Sequence, residues 1–431
     1  MPIIHPDDVP TLVYANEKGE IKNFSELYMA GRSGTFFSKP LPDDLIPLPD
    51  GSELFLLPDR KPIGISPADD GAALFDHDPA APNEMIQAVA AFMAPAHTAI
   101  HSAAYEPVRD DIPPLPLFAY TAVGWHKGRF WVSAFRSDPD NRQDAQSFDL
   151  EKIKRNTVRL LKNKSGNRLI QHLGKCCLSY GCPAARNYFL GRWEAPLPTS
   201  PVCNARCVGC ISLQPSGCCP ATQDRIAFVP RVSEITEIAA GHLKTAPGSI
   251  VSFGQGCEGE PLLQAEILEK SIRSIRKRTN CGTINLNSNA SLPDKIERLA
   301  KAGLDSLRAS MNSARESCHT RYYRPVNFSL REVVKSIDIM KKAEKFVSLN
   351  YFIIPGFTDD PDEFDAFCDL IEKHRPDLIQ LRNLNMDPDW YFETVGYNPG
   401  AHQPMGIRNW LAELKKHFPM LRFGYFNPSL R

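Results

Sequence analysis

Three cysteines, Cys203, Cys207 and Cys210, stand together in the run C-N-A-R-C-V-G-C. A cubic 4Fe–4S cluster has four irons and is usually held by four thiolates. Three thiolates this close hold three irons and leave the fourth open. An open position on a metal is where a substrate or cosubstrate binds and reacts. Zinc is the competing reading. Structural zinc sites usually come as two cysteine pairs, or as cysteine pairs followed closely by histidines. No histidine follows Cys210 before His242, but Cys218 and Cys219 are near enough to complete a zinc set.

Eight of the 12 cysteines lie between Cys176 and Cys219, too many for core packing alone. Cys176, Cys177 and Cys182 fall in K-C-C-L-S-Y-G-C-P before the triplet, and Cys218 and Cys219 follow it. One of each vicinal pair plus Cys182 is enough for a second iron–sulfur cluster; structural zinc and free thiols are the alternatives. Cys257 reads either as a small buried residue or as a cavity-facing hydrogen-atom donor. Cys281, Cys318 and Cys368 read as structural. The start MPIIHPDDVP has no basic region followed by an apolar core, so no signal peptide is read there and the protein is expected to be cytoplasmic. Without a secretion signal, so many cysteines argue for metal ligation over a disulfide framework.

Around these residues the chain alternates strand and helix. Candidate strands are 195–200, Ser249–Phe253, Thr283–Asn287, Ser306–Ser310, Val347–Ile353 and Leu378–Arg382. Candidate helices between them are Ser233–Lys244, Leu262–Arg278, Pro293–Ala302, Leu330–Ala343 and Pro361–His374, with apolar residues three and four apart, as in Ile235, Ile238 and Ala239. Such alternation means a parallel sheet. About six repeats make an incomplete (β/α)6-type barrel, whose sites sit at the carboxyl ends of the strands.

The expected organisation is α/β. Residues 1–146 form a mixed, mostly β domain, a candidate substrate clamp. Residues 147–192 are a basic helical connector with the Cys-rich segment, 193–395 the partial barrel, and 396–431 a C-terminal helix and tail. The first part is proline-rich, with apolar runs at Glu53–Leu57, Phe118–Val123 and Phe130–Phe135. A hairpin is expected at Trp125–Gly128 and a helix at Glu84–Ala94. The connector carries Lys152, Lys154, Arg155, Arg159, Lys162, Lys164, Arg168 and Lys175, a solvated face or a surface for an anion or RNA.

The spacing of the triplet resembles the signature of the radical S-adenosylmethionine (radical SAM) superfamily. Each later strand ends in a segment similar to the motifs of that family. Gly259-Glu260-Pro261 resembles its glycine–glutamate–proline motif, with Glu258 where the usual form has a glycine. Ser288-Asn289-Ala290 stands where many relatives have threonine–asparagine–glycine. Ser310 and Asn312 alternate onto one face and resemble residues that bind the SAM ribose and carboxylate. The run I-I-P-G-F-T-D-D, with Gly356, is similar to the loop beside the adenine. The resemblance spans about residues 195 to 385. It implies a 4Fe–4S cluster on Cys203, Cys207 and Cys210, and SAM held by Gly259, Glu260, Pro261, Asn289, Ser310, Asn312 and Gly356. It also implies a flavodoxin- or ferredoxin-type reductant.

Lysine plus arginine equals aspartate plus glutamate at 50 each, so no global field favours nucleic acid or membrane. The most apolar stretch, Ala88 to Tyr105, is broken by Pro95, His97 and His101 and is too short to span a bilayer. The expected activity is hydrogen-atom abstraction from a peptide or small-molecule substrate. An RNA-modifying enzyme and a non-catalytic zinc or iron–sulfur scaffold are the alternatives. His319, Tyr322, Tyr323 and Arg324 are placed to shape a pocket or simply to close the barrel.

Overall fold

The structure is a computed structural model and describes residues 9–214, 217 and 219–431. Cys218 and residues 1–8, on which the signal-peptide reading rests, lie outside the described residues. The chain divides into two compact units. Unit 1 comprises residues 1–139, 352–368 and 381–419; unit 2 comprises 140–351, 369–380 and 420–431.

Unit 1 is mostly strand. Thr11–Asn16 pairs antiparallel with Ile21–Met29, Ile86–Phe92 and Val123–His126 within an 11-stranded sheet. The expected hairpin is present: Val123–His126 pairs with Arg129–Arg136, and Lys127 and Gly128 both take positive φ, the two-residue turn that matches strand twist. The helix expected at Glu84–Ala94 is instead the strand Ile86–Phe92. Its Val89 and Ala91 pack into one core cluster with Val13, Val123 and Val132. Ala88 and Ala90, on the other face, pack with Leu57, Tyr105 and Leu115. A strand buried on both faces loses its polar alternation, and an alanine-rich apolar run then looks helical. The run at Phe118–Val123 is likewise not a strand; Thr121 makes isolated bridges to Ala91 and Ser102, and regular pairing begins at Val123.

Unit 2 opens with three helices: α1 (Leu150–Asn163), α2 (Arg168–Leu178) and α3 (Pro183–Leu190). Asp149 and Asn167 cap α1 and α2 by accepting from Lys152 N and Ile170 N. Some of the basic stripe is absorbed here. Lys164 pairs with Glu237 at 2.7 Å, Arg168 with Glu234 at 2.7 Å, and Lys175 with Asp224.

A seven-stranded sheet follows. Its strands in order are β1 (Glu194–Pro196), β2 (Ile250–Phe253), β3 (Thr283–Ser288), β4 (Ser306–Met311), β5 (Phe346–Ile353), β6 (Leu378–Asn383) and β7 (Arg422–Gly424). The pairs β1–β2, β2–β3, β3–β4, β4–β5 and β6–β7 are parallel. The intervening helices are α4 (Val232–Thr245), α5 (Ala265–Arg278), α6 (Pro293–Ala302), α7 (Glu316–Tyr323), α8 (Leu330–Lys342) and α9 (Pro361–His374). The five helices expected here are present to within a few residues at each end, and α7 was not foreseen. The sheet curls. Asn427 donates to Glu194 Oε1 on β1 at 3.0 Å and accepts from Gln380 Nε2 on β6 at 3.0 Å, so one side chain bridges strands five places apart. The enclosed face is polar. Ser252, Asn285, Asn287, Ser306 and Gln380 are buried and joined by hydrogen bonds through Asn427 and one another.

Among the described residues, no helix is long and apolar enough to cross a membrane.

Candidate cluster and SAM site

The triplet lies in the loop after β1, and two neighbouring segments shape that loop. On one side Arg206 N and Val208 N donate to the carbonyls of Tyr323 and Tyr322 at the end of α7, at 2.9 and 3.0 Å. On the other, Gly259 N donates to Ser200 O at 2.7 Å and Glu260 N to Val202 O at 2.9 Å. These bonds zip the glycine–glutamate segment onto the strand end that leads into Cys203. A Cβ at position 259 would run into the Val202 carbonyl, so only glycine fits there.

The three thiols are partly exposed. Burial, then Glu260, pushes Cys203 up to about 11, and burial pushes Cys207 well above the usual thiol range. Arg225 Nη2 donates to Cys210 Sγ at 3.4 Å. Burial and then Cys207 and Cys210 raise the Tyr322 phenol well above its ordinary range. At Cys203 and Cys207 the thiolate is therefore disfavoured without a cation, and a metal group would ionise them. Among the described residues, two groups bring three ligand atoms within 4.8 Å of one another: His172, Cys176 and Cys257; and Asp360, Asp362 and His402.

Two carboxylates brace the segments expected to meet SAM. Glu260 accepts from Leu262 N (3.0 Å), Ser288 Oγ (2.6 Å) and Asn289 N (2.9 Å), which ties the ends of β2 and β3 together. Glu258 accepts from Thr199 N, Thr199 Oγ1, Ser200 N, Gly254 N and Gln255 N at 2.8–3.1 Å. Burial pushes both carboxyls up to about 7 against the pull of those donors. Neither carboxylate points at open solvent; both are 4% exposed, so their task is to hold the loops. Pro261 starts the short 3-10 turn that Glu260 caps.

Asn289 Nδ2 donates to Asn204 Oδ1 at 2.9 Å, joining the β3 end to the triplet loop. Ser310 lies at the end of β4, half-buried and opposite Asn350 on β5. Asn312 is buried, and its Nδ2 donates to Cys318 O of α7 at 3.3 Å. The structure thus gathers Cys203, Cys207, Cys210, Gly259, Glu260, Pro261, Asn289, Ser310 and Asn312 at the carboxyl ends of β1 to β4. Gly356 belongs to unit 1, where it has a φ of +90° and a Cβ would strike Gly34.

Of the cysteines nominated for a second cluster, Cys176 meets His172 and Cys257. The Cys177 thiol faces Thr157 Oγ1 at 3.6 Å, one helical step round α2. Burial pushes Cys182 up to about 11, and Cys219 is buried. Cys218 is not among the described residues. Sequence reasoning missed Arg225, which carries no spacing signal. It also missed Glu258, visible only as a departure from a motif, and His172, whose four-residue offset from Cys176 on a helix was a usable signal.

Residues 197–370 match the family model described as Radical SAM superfamily. That match takes in somewhat less than half of the chain, and it is this segment that is similar to the superfamily. Its curated relatives include the GTP 3′,8-cyclase of Clostridium botulinum (strain Hall), 30% identical over 189 residues, or 43% of this chain and 54% of the relative. The chain spans about half the length of the curated relatives it matches. Similar solved structures include anSMEcpe with bound AdoMet, at 18% identity and a TM-score of 0.36 over 44% of this chain and 52% of that one. Streptococcus suis SuiB bound to S-adenosylmethionine aligns at 14% identity and a TM-score of 0.38 over 63% and 62%.

Proposed function

We propose that the protein is an enzyme that cleaves S-adenosylmethionine reductively and takes a hydrogen atom from a small polar molecule or a peptide. The observation that carries this reading is the pairing of the loop that holds the three thiols with the Gly259–Glu260 segment, which fixes the two against each other. When bound, a 4Fe–4S cluster and SAM supply the electron and the 5′-deoxyadenosyl radical.

The chain's own residues do the positioning. Cys203, Cys207 and Cys210 hold the cluster, and Arg225 sets a positive charge against the Cys210 sulfur. Gly259 lets the triplet loop pack against the backbone of the Glu258–Glu260 segment, while Glu258 and Glu260 hold that backbone still. Asn289, Ser310 and Asn312 supply amide and hydroxyl groups for the ribose and carboxylate of SAM. The buried polar face of the sheet favours a substrate recognised by hydrogen bonds and excludes bulk water around it. A flavodoxin- or ferredoxin-type protein is the reductant in this reading.

The test is anaerobic reconstitution with iron and sulfide, then incubation with SAM and dithionite. The expected product is 5′-deoxyadenosine, lost in Cys203→Ala. Zinc in place of iron, with no product, would favour the scaffold reading instead.

The RNA reading draws on the exposed Lys152, Lys154, Arg155 and Arg159 of α1. Filter binding over a range of salt separates the two, since RNA contacts give a steep salt slope. A flat slope with weak retention is the expected result.

A further inference from the structure

Unit 2 brings together a second set of metal-ligating side chains, none of them from the triplet. His172 and Cys176 stand four residues apart on one face of α2. Cys257 comes from the loop after β2, next to Glu258. His172 Nε2 lies 3.4 Å from Cys257 Sγ and 3.5 Å from Cys176 Sγ, and the three ligand atoms fall within 4.8 Å of one another. Zinc bonds of about 2.3 Å to sulfur and 2.0–2.1 Å to nitrogen, at tetrahedral angles, put sulfur and nitrogen about 3.5 Å apart. The two distances in the structure are those of a tetrahedron's edges.

The surroundings fit the charge as well. Cys176 and Cys257 are 3% and 6% exposed, and two thiolates with one divalent cation are neutral overall, which is what a buried site requires. The ligand set is mixed nitrogen and sulfur with no carboxylate, the set that selects zinc over magnesium or calcium. The site joins two parts of the chain that have no covalent reason to meet. One is a helix from before the sheet; the other is the loop whose next residues brace the segments expected to meet SAM. Ile226 N also donates to Cys257 O at 2.8 Å, which anchors the ligand loop from a third segment.

We propose that His172, Cys176 and Cys257 form a mononuclear zinc site that staples α2 to the loop carrying Glu258, Gly259 and Glu260. The fourth position is open to water or to another thiol. The inference does not depend on SAM chemistry and stands or falls on metal content.

The test uses the full chain with Cys203, Cys207 and Cys210 changed to alanine, purified anaerobically, so that the triplet contributes no metal. Elemental analysis is expected to find about one zinc per chain, falling about ten-fold on adding His172→Ala or Cys257→Ala and unchanged on adding Cys177→Ala. Circular dichroism checks that each variant folds. Should His172→Ala unfold, His172→Cys keeps a ligand at that position. It is expected to retain zinc and, with cobalt in its place, to show stronger thiolate charge-transfer absorption than the parent. Zinc that survives loss of His172 and Cys257 would overturn the proposal. So would iron in its place, a folded His172→Cys chain without zinc, or a Cys176–Cys257 disulfide in the anaerobic protein.

Discussion

Gly259 lies against Val202 with no room for a side chain, and its amide donates to Ser200 O at 2.7 Å. The segment expected to meet SAM and the loop expected to hold iron are therefore one mechanical piece. Gly259→Ala must push the triplet loop away from β2. The expected outcome is at least about a ten-fold loss of 5′-deoxyadenosine formation, with iron retention after desalting reduced in parallel. Full activity with normal iron would show that the two loops are independent.

Glu258 offers a companion test of the same piece. Its two oxygens accept five hydrogen bonds inside the protein. Glu258→Gln replaces one accepting oxygen by a donor that faces the Gly254 and Gln255 amides or those of Thr199 and Ser200. Breaking charge-assisted bonds in a buried place costs about 1–3 kcal/mol. Urea unfolding should show the unfolding free energy falling by that much.

Arg225 bears on redox behaviour. Its guanidinium donates to Cys210 Sγ at 3.4 Å. Hydrogen bonds and positive charge at a cluster sulfur favour the reduced state and so raise the potential. Arg225→Gln is expected to lower the midpoint potential by some tens of millivolts, read by a redox titration followed by electron paramagnetic resonance. An unchanged potential in a variant with full iron would sink the assignment.

Unit 1 has its own test. Asp387 accepts from Arg60 Nη2 at 2.7 Å and from Leu115 N at 2.9 Å, with both charged side chains almost wholly buried. Asp387→Ala leaves the Arg60 charge buried and unpaired, at a cost of about 3–5 kcal/mol. Thermal unfolding should drop by several degrees, and Arg60→Met combined with Asp387→Ala should recover part of the loss.

Stability should also carry a signature of Asp359. Burial lifts its carboxyl to about 6 from the ordinary 3.8, although Gly356 N and Gly406 N both donate to it. The folded state holds this proton more tightly than the unfolded one. The contribution is complete below about pH 3.8, declines as pH rises, and is lost above about 6. Asp359→Asn removes the titration and imposes a cost that is the same at every pH. Between about pH 4 and about pH 7 the wild type should lose up to about 3 kcal/mol relative to this variant. Parallel urea midpoints would contradict it.

The sequence by itself determined the alternating architecture of unit 2 and the residues of its candidate cluster loop. Helices such as Pro293–Ala302 are legible because their amphipathic periodicity and end signals are local properties of the chain. The triplet is legible because ligand chemistry restricts residue type at short spacing. The β1–β4 ends were likewise readable, since each strand stops in a short polar segment.

Only the tertiary structure decided what joins segments far apart in the chain. Cys257 and Cys176 are 81 positions apart, and no local pattern says that their thiols meet across His172. Glu258 departs from a motif in the sequence, and its reason appears only when five donors from two loops converge on it. Ile86–Phe92 shows the converse. Its residues favour a helix locally, and burial on both faces within a sheet overrides that preference. Burial, charge pairing and metal geometry depend on which distant groups arrive together, and arrival is a property of the whole fold.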